Sequence, residues 1–221
     1  MLYIVSVGPG DPELITVKGL ETIKKCQVVA GWGSVVDRFS FLLENKKVIR
    51  MTYKEESKQL EEIFSYAKNM DVAFLDHGDV AVSDYQLLEK IKKGCEKYNV
   101  PLKIIPGVSS VIRALHVVGK DLSEVVFLTF HVRGEINYDD IRKFLATGRG
   151  LLVNPEPYPD GVKRIALKLK EIGCNNVVLT VMEKLTYPDE AIHYYTVDDI
   201  INKDLKFSDL SIVYIPPCSF S

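Results

Sequence analysis

Apolar residues along this chain follow two rhythms. Short runs rich in Val, Ile and Leu alternate with longer stretches whose apolar positions recur every three or four residues. The first rhythm belongs to strands buried on both faces, the second to amphipathic helices. LYIVSV (2–7) predicts a first buried strand. TVKGLETIKKC (16–26) follows with Leu20 and Ile23 at helical spacing and Thr16 as a candidate N-cap. QVVAG (27–31) predicts a second strand. SVVDRFSFLLE (34–44) places Val35, Phe39, Leu42 and Leu43 on one helical face. KKVIRM (46–51) predicts a strand, and SKQLEEIFSYAKNM (57–70) a helix with Leu60, Ile63, Phe64 and Ala67 on one stripe and Ser57 as its cap. After the strand DVAFLD (71–76), SDYQLLEKIKKGCEKY (83–98) begins with Ser83 and Gln86 in capping-box spacing. PLKIIP (101–106) closes this half.

Pro106-Gly107 reads as a hinge, beyond which the pattern changes. SSVIRALHVVG is a helix stopped by Gly119, EVVFLTFHVRG a strand and loop, DDIRKFLATG a helix, GLLVNPE a strand, and DGVKRIALKLKEIG a helix with a glycine stop. NNVVLTVMEKL, EAIHYYTV and LSIVYIP are strands, the last two joined by a short helical turn, and strands so close in sequence are able to pair antiparallel. The expected fold is α/β with two α/β domains, residues 1–106 and 107–221, and a cleft between them. The first domain has a mostly parallel sheet because its strands alternate with helices; the second has a mixed sheet. Ligands of parallel sheets bind beyond the carboxyl ends of the strands, which singles out the loops 7–13 and 76–84.

Composition narrows the chemistry. The 221 residues suffice for a substantial core, the net charge of −2 gives no global attraction to nucleic acid or anionic membrane, and no apolar run reaches a membrane span. The start lacks a secretory leader, so a cytoplasmic protein is expected. Cys26, Cys95, Cys174 and Cys218 are far apart and form no C-x-x-C pair, so no metal site is expected and the thiols are expected buried or reduced.

The loop G-P-G-D-P (8–12) lacks the Walker lysine, and Glu13 occupies the third glycine position of the dinucleotide fingerprint. Pro9 and Pro12 remove N–H donors that a phosphate would use, and Asp11 and Glu13 repel one. A ligand with cationic and hydroxyl groups suits this loop better. A rigid strand-to-helix turn with an acid near the helix start accounts for it equally well.

Several stretches together resemble one family. VGPGDPELIT before a helix, HGD after VAFL, and IPGVSS after LKI are similar to the tetrapyrrole methylases. CQVVAGWGSVVDRF, VVFLTFHVRG and MEKLTYPDEAI most resemble its precorrin-6Y methylases, which methylate carbon 5 of a corrin precursor (cobalt-precorrin-7 in the anaerobic pathway). Two motifs depart from the family pattern. Its G-D-P is here Gly78-Asp79-Val80, preceded by His77, and its H-G-R is here His131-Val132-Arg133-Gly134.

The resemblance implies S-adenosyl-L-methionine as cofactor, a tetrapyrrole (precorrin) substrate and a homodimer. A separate protein would carry the carbon-15 methylating and decarboxylating activity, as a possible partner. It implies Pro9, Gly78, Asp79, Val82, Ser109 and Ser110 as cofactor contacts, with Asn154 and Thr180 near the adenine. His131 and Arg133 are the implied catalytic pair. Arg113 and Lys184 are further cations for the macrocycle's carboxylates, whereas His116 and His193 read as packing or strand-face residues and Tyr187 and Glu190 as turn residues. Alternatives are a diphthine synthase-like protein methyltransferase, a ribosomal RNA methylase, a nicotinamide oxidoreductase, and a non-catalytic S-adenosyl-L-methionine-binding protein. The absence of a basic stripe disfavours the RNA enzyme, and the missing third glycine the oxidoreductase.

Overall fold

A computed structural model describes residues 1–220. The chain divides into two compact units, Met1–Ser110 and Val111–Ser221.

In the first unit five parallel strands lie in the order β3-β2-β4-β1-β5. They are β1 (Leu2–Ser6), β2 (Val28–Trp32), β3 (Lys47–Met51), β4 (Val72–Asp76) and β5 (Leu102–Ile105). The helices α1 (Val17–Lys25) and α2 (Gly33–Arg38) alternate with them, as do α3 (Glu56–Ala67) and α4 (Tyr85–Tyr98). β1 and β4 are apolar on both faces because both are covered. Val5, Val29, Ala73 and Leu75 share one core with Ile23 of α1 and Val36 of α2. Leu2, Ile4, Phe74 and Ala30 share the other with Ile63 of α3 and Ile91 of α4. The chain leaves β1 toward β2 and β3, and leaves β4 in the opposite direction toward β5, so the adjacent β1 and β4 form the switch point of the sheet.

Local signals explain most boundaries. Thr16 caps α1, its hydroxyl accepting from Gly19 N at 3.0 Å. Two expected caps are displaced. The N-cap of α3 is Glu55, so Ser57 lies inside the helix. That of α4 is Asp84, and Ser83 precedes it with φ +75°.

The second unit holds a mixed sheet in the order β6-β7-β10-β8-β9. Its strands are β6 (Val125–Thr129), β7 (Gly150–Asn154), β8 (Val178–Glu183), β9 (Ala191–Thr196) and β10 (Ser211–Ile215). β6 and β7 are parallel, and β10 runs antiparallel to both β7 and β8. Helix α5 (Ser110–Val118) ends at Gly119, which holds φ +63°. α6 (Asp139–Leu145), α7 (Gly161–Glu171) and α8 (Val197–Asn202) cover one sheet face. Ile141, Ile165, Leu169 and Ile200 pack there on Leu151, Val153, Val181 and Val213.

The expectation of reduced thiols fails for one pair. Cys174, just after α7, and Cys218, after β10, form a disulfide with Cα atoms 6.1 Å apart; Cys26 and Cys95 are free and buried. A separation of 44 residues hides such a pairing from spacing rules. No helix among the described residues is long and apolar enough to cross a membrane, and no group of His, Cys, Asp or Glu there is arranged to hold a metal ion.

Candidate functional site

Three loops meet at the carboxyl ends of β1, β4 and β5. The first carries Gly8, Pro9 and Asp11, the second Gly78, Asp79 and Val82, the third Gly107, Ser109 and Ser110. Gly8 and Gly78 exchange backbone hydrogen bonds, Gly8 N to Gly78 O at 3.2 Å and Gly78 N to Gly8 O at 2.9 Å. Both residues hold positive φ, +90° and +70°. Gly107 is pressed between the other two loops. A Cβ there would stand 2.4 Å from Ser6 O and 2.8 Å from Gly78 O. Asp79 ties the loops side to side: Oδ1 accepts from Ala81 N and Oδ2 from Gly107 N, both at 2.8 Å. Ser6 Oγ accepts from Val80 N at 3.1 Å, and Asp79 O from Val82 N at 2.8 Å.

This bonding decides what the loops accept. The N–H groups of Gly8, Gly78, Val80, Ala81, Val82 and Gly107 donate to neighbouring loop atoms. Those of Glu13 and Leu14 donate to Asp11. A phosphate needs such donors turned outward, and here they are consumed. The partners of these donors are the loops' own oxygens, among them Gly8 O, Gly78 O and both carboxylate oxygens of Asp79, so the bonding disfavours a phosphate at this surface.

One cation does reach the first loop. Arg38, at the end of α2, donates from Nη1 to Gly10 O at 2.7 Å. It lies 28 residues from Gly10 along the chain, beyond the reach of any local pattern.

Asp76, the last residue of β4, lies directly beneath this loop cluster. It is fully buried, opposite Ser6 in the register of β1 and β4. Burial pushes its carboxyl well above the ordinary aspartate range, and the neighbouring Asp84 and Asp79 push it further. Pro9 and Ser109 are buried, Val82 is half-buried, and Ser110 opens α5.

In the second unit, Asn154 ends β7 with its buried Oδ1 lacking a donor. Thr180 on β8 is buried and paired in register with Tyr214, itself paired with Leu152. Alternation along the strands therefore puts Asn154 and Thr180 on one sheet face, opposite the one covered by α6, α7 and α8. They stand two register positions apart with β10 between them. His131 and Arg133 occupy the loop after β6, where His131 N donates to Thr129 Oγ1 at 3.2 Å.

Two of the nominated cations are engaged. Arg113 makes a forked pair with Glu190, at 3.2 Å and 2.5 Å, and Glu190 also accepts from Thr186 N. Lys184 pairs with Asp189. His193 lies 3.2 Å from Glu183.

Residues 1–201 match the family model of the Tetrapyrrole (Corrin/Porphyrin) Methylases. The chain is 28% identical to the probable cobalt-precorrin-7 C(5)-methyltransferase of Methanocaldococcus jannaschii, over 94% of each chain. It is 27% identical to the precorrin-4 C(11)-methyltransferase of Pseudomonas aeruginosa, over 91% of this chain and 83% of that one. The solved precorrin-6Y methylase of Archaeoglobus fulgidus superposes with a TM-score of 0.69 at 20% identity, over 99% of both chains. The chain therefore belongs to the tetrapyrrole methylases, the S-adenosyl-L-methionine-dependent methyltransferases of cobalamin biosynthesis.

Proposed function

We propose that this protein methylates carbon 5 of a precorrin-7-type corrin precursor, with the methyl donor held by the three loops of the first unit. The observation that supports a phosphate-free donor is the inward use of the loops' N–H groups, which disfavours a phosphate there. S-adenosyl-L-methionine supplies an electrophilic methyl on a sulfonium. Pro9 and Gly78 are its backbone-level contacts, Asp79 and Val82 lie at its methionine end with Ser109 and Ser110, and Asn154 and Thr180 are the candidates for the adenine. Carbon 5 is supported by the near full-length likeness to the Methanocaldococcus protein together with the CQVVAGWGSVVDRF and MEKLTYPDEAI stretches.

The chain's own residues have four tasks. A meso carbon of the macrocycle is enamine-like and already nucleophilic, so positioning carries most of the acceleration and no covalent enzyme intermediate is required. Charge disappears as the sulfonium becomes a thioether, which favours surroundings of low polarity. The macrocycle's carboxylates call for cations. Arg133, in the loop after β6, takes that role, as the family resemblance implies. His131, beside it, is the candidate to hold or move a proton on the ring. Assembly as a homodimer and a separate carbon-15 enzyme belong to the same proposal.

The test is incubation with methyl-labelled S-adenosyl-L-methionine and a panel of precorrins. Label at carbon 5 of the macrocycle is expected. Label at another carbon refutes the regiochemistry, and label in a protein or in RNA refutes the substrate class.

A further inference from the structure

The five residues of β4 are all buried, and four of them are apolar. The fifth, Asp76, breaks the pattern at the point where the strand enters the second loop. An acid with no solvent exposure ordinarily gathers N–H or O–H donors around itself. Asp76 gathers none: neither carboxyl oxygen meets an N–H or a hydroxyl. The partner it does meet is another acid, the side chain of Asp84. Two carboxylates bond to each other only when one of them carries a proton, and a proton shared with Asp84 would give the buried Asp76 the partner it otherwise lacks.

Asp84 stands at the other end of the same loop. It occupies the N-cap position of α4 yet caps none of the helix's N–H groups with its side chain. Its neighbour Ser83 holds φ +75°, a left-handed conformation that a residue with a Cβ keeps only where its surroundings enforce it. Between Asp76 and Asp84 lies the segment 77–83, which carries Gly78, Asp79 and Val82. The two acids are thus the two feet of the loop.

We propose that Asp76 and Asp84 share one proton, and that this acid pair is the positioning element holding the 77–83 loop in the shape that receives S-adenosyl-L-methionine. The proposal rests on the reading that the first unit's loops bind the cofactor. When the proton leaves, two adjacent anions repel beneath the loop, its feet part, and the cofactor-binding shape is lost. The charged groups acting on Asp76 are Asp84 at the start of α4 and Asp79 in the loop; its register partner on β1, Ser6, is uncharged. Both acids disfavour ionisation of Asp76, in the same direction as burial. The pair titrates as a unit, so its apparent pKa belongs to neither residue alone.

The test measures S-adenosylhomocysteine binding by calorimetry from pH 6 to 10 for the wild-type chain, Asp76→Asn and Asp76→Ala. If the protonated pair is needed, wild-type affinity falls about ten-fold per pH unit above the pair's apparent pKa. The amide of Asp76→Asn donates to Asp84 at every pH, so this variant is expected to bind with a flattened profile. The ligand's own ammonium titrates in this range and moves all variants alike, which makes Asp76→Asn the reference. Asp76→Ala removes the donor without replacing it and is expected to bind at least ten-fold more weakly at neutral pH. An Asp76→Asn profile that tracks the wild type overturns the proposal, as does equal weakening of both variants. Should Asp76→Asn fail to fold, Asp84→Asn applies the same test from the other foot. Hydrogen exchange with and without S-adenosylhomocysteine separates the two readings. Binding without protection of residues 77–84 refutes the location of the cofactor, whereas protection with an unaltered pH profile refutes only the acid pair.

Discussion

Gly107 offers the sharpest handle on the loop cluster. Replacing it by Ala adds one methyl group at a place already filled by backbone. The new Cβ would lie 2.4 Å from Ser6 O and 2.8 Å from Gly78 O, closer than real Cβ contacts come. Neither atom belongs to a side chain that can swing away, so the first or second loop must retreat by more than half an ångström. Overpacking of this kind costs about 1–3 kcal/mol. For a unit of this size that lowers Tm by roughly 5–15 °C. The movement also pulls Gly107 N from Asp79 Oδ2, a charge-assisted bond of 2.8 Å worth about 1.5–3 kcal/mol if broken outright. Thermal melts and calorimetric titration with S-adenosylhomocysteine read both effects. Gly33→Ala is the control: it opens α2, the nearest atom to its added Cβ is Arg50 Cβ at 4.0 Å, and a change within about 0.5 kcal/mol is expected. A Gly107→Ala protein that melts and binds like the wild type would show that the three loops are not mutually wedged and that the site is misassigned.

Other outcomes follow from single contacts. Arg133→Ala is expected to raise KM for the tetrapyrrole while leaving S-adenosylhomocysteine affinity intact; the opposite pattern in calorimetry and kinetics discredits its role. The Arg113 guanidinium beside Glu190, aided by Thr186 N–H, holds the Glu190 carboxyl below its usual range. A lowered carboxylate pKa means stability that is present above the unfolded value and is lost as pH falls through the folded one. Glu190→Gln is therefore expected to shallow the acid side of the stability curve below about pH 5, and an unchanged slope in melts at graded pH contradicts it. Reducing the Cys174–Cys218 bond, which spans 44 residues, is expected to destabilise the second unit by about 4 kcal/mol, read as a lower Tm in reductant. Cys174→Ser should remove the sensitivity to reductant.

Much of the fold was written in the rhythm of apolar residues. β1, β2 and β4 are covered by helices on both sides, so they appear as unbroken apolar runs with unmistakable limits. The stripe of Leu60, Ile63, Phe64 and Ala67 is buried as its spacing demands. Helix starts were less legible. Ser57 has the chemistry of a cap, but the turn at Thr52–Glu55 starts the helix earlier. In the site, Asp79 stood out through its motif, and the sequence suggested a partner for a cofactor. The fold adds that both of its oxygens are already used to fasten loops. Arg38 and the Cys174–Cys218 bond depend on which distant segments lie side by side, and local patterns carry no trace of that.

The position of β10 has a consequence for biosynthesis. This strand comes last in chain order yet sits in the middle of its sheet, hydrogen-bonded to β7 on one side and β8 on the other. Before residues 211–215 leave the ribosome, β6-β7 and β8-β9 are two separate ribbons with bare inner edges. The second unit then has no completed sheet to fold around, whereas the parallel sheet of the first unit has all its strands by residue 105. Synthesis therefore releases one finished lobe trailing an unfinished one, and the exposed ribbon edges of that interval are where a chaperone has most to protect.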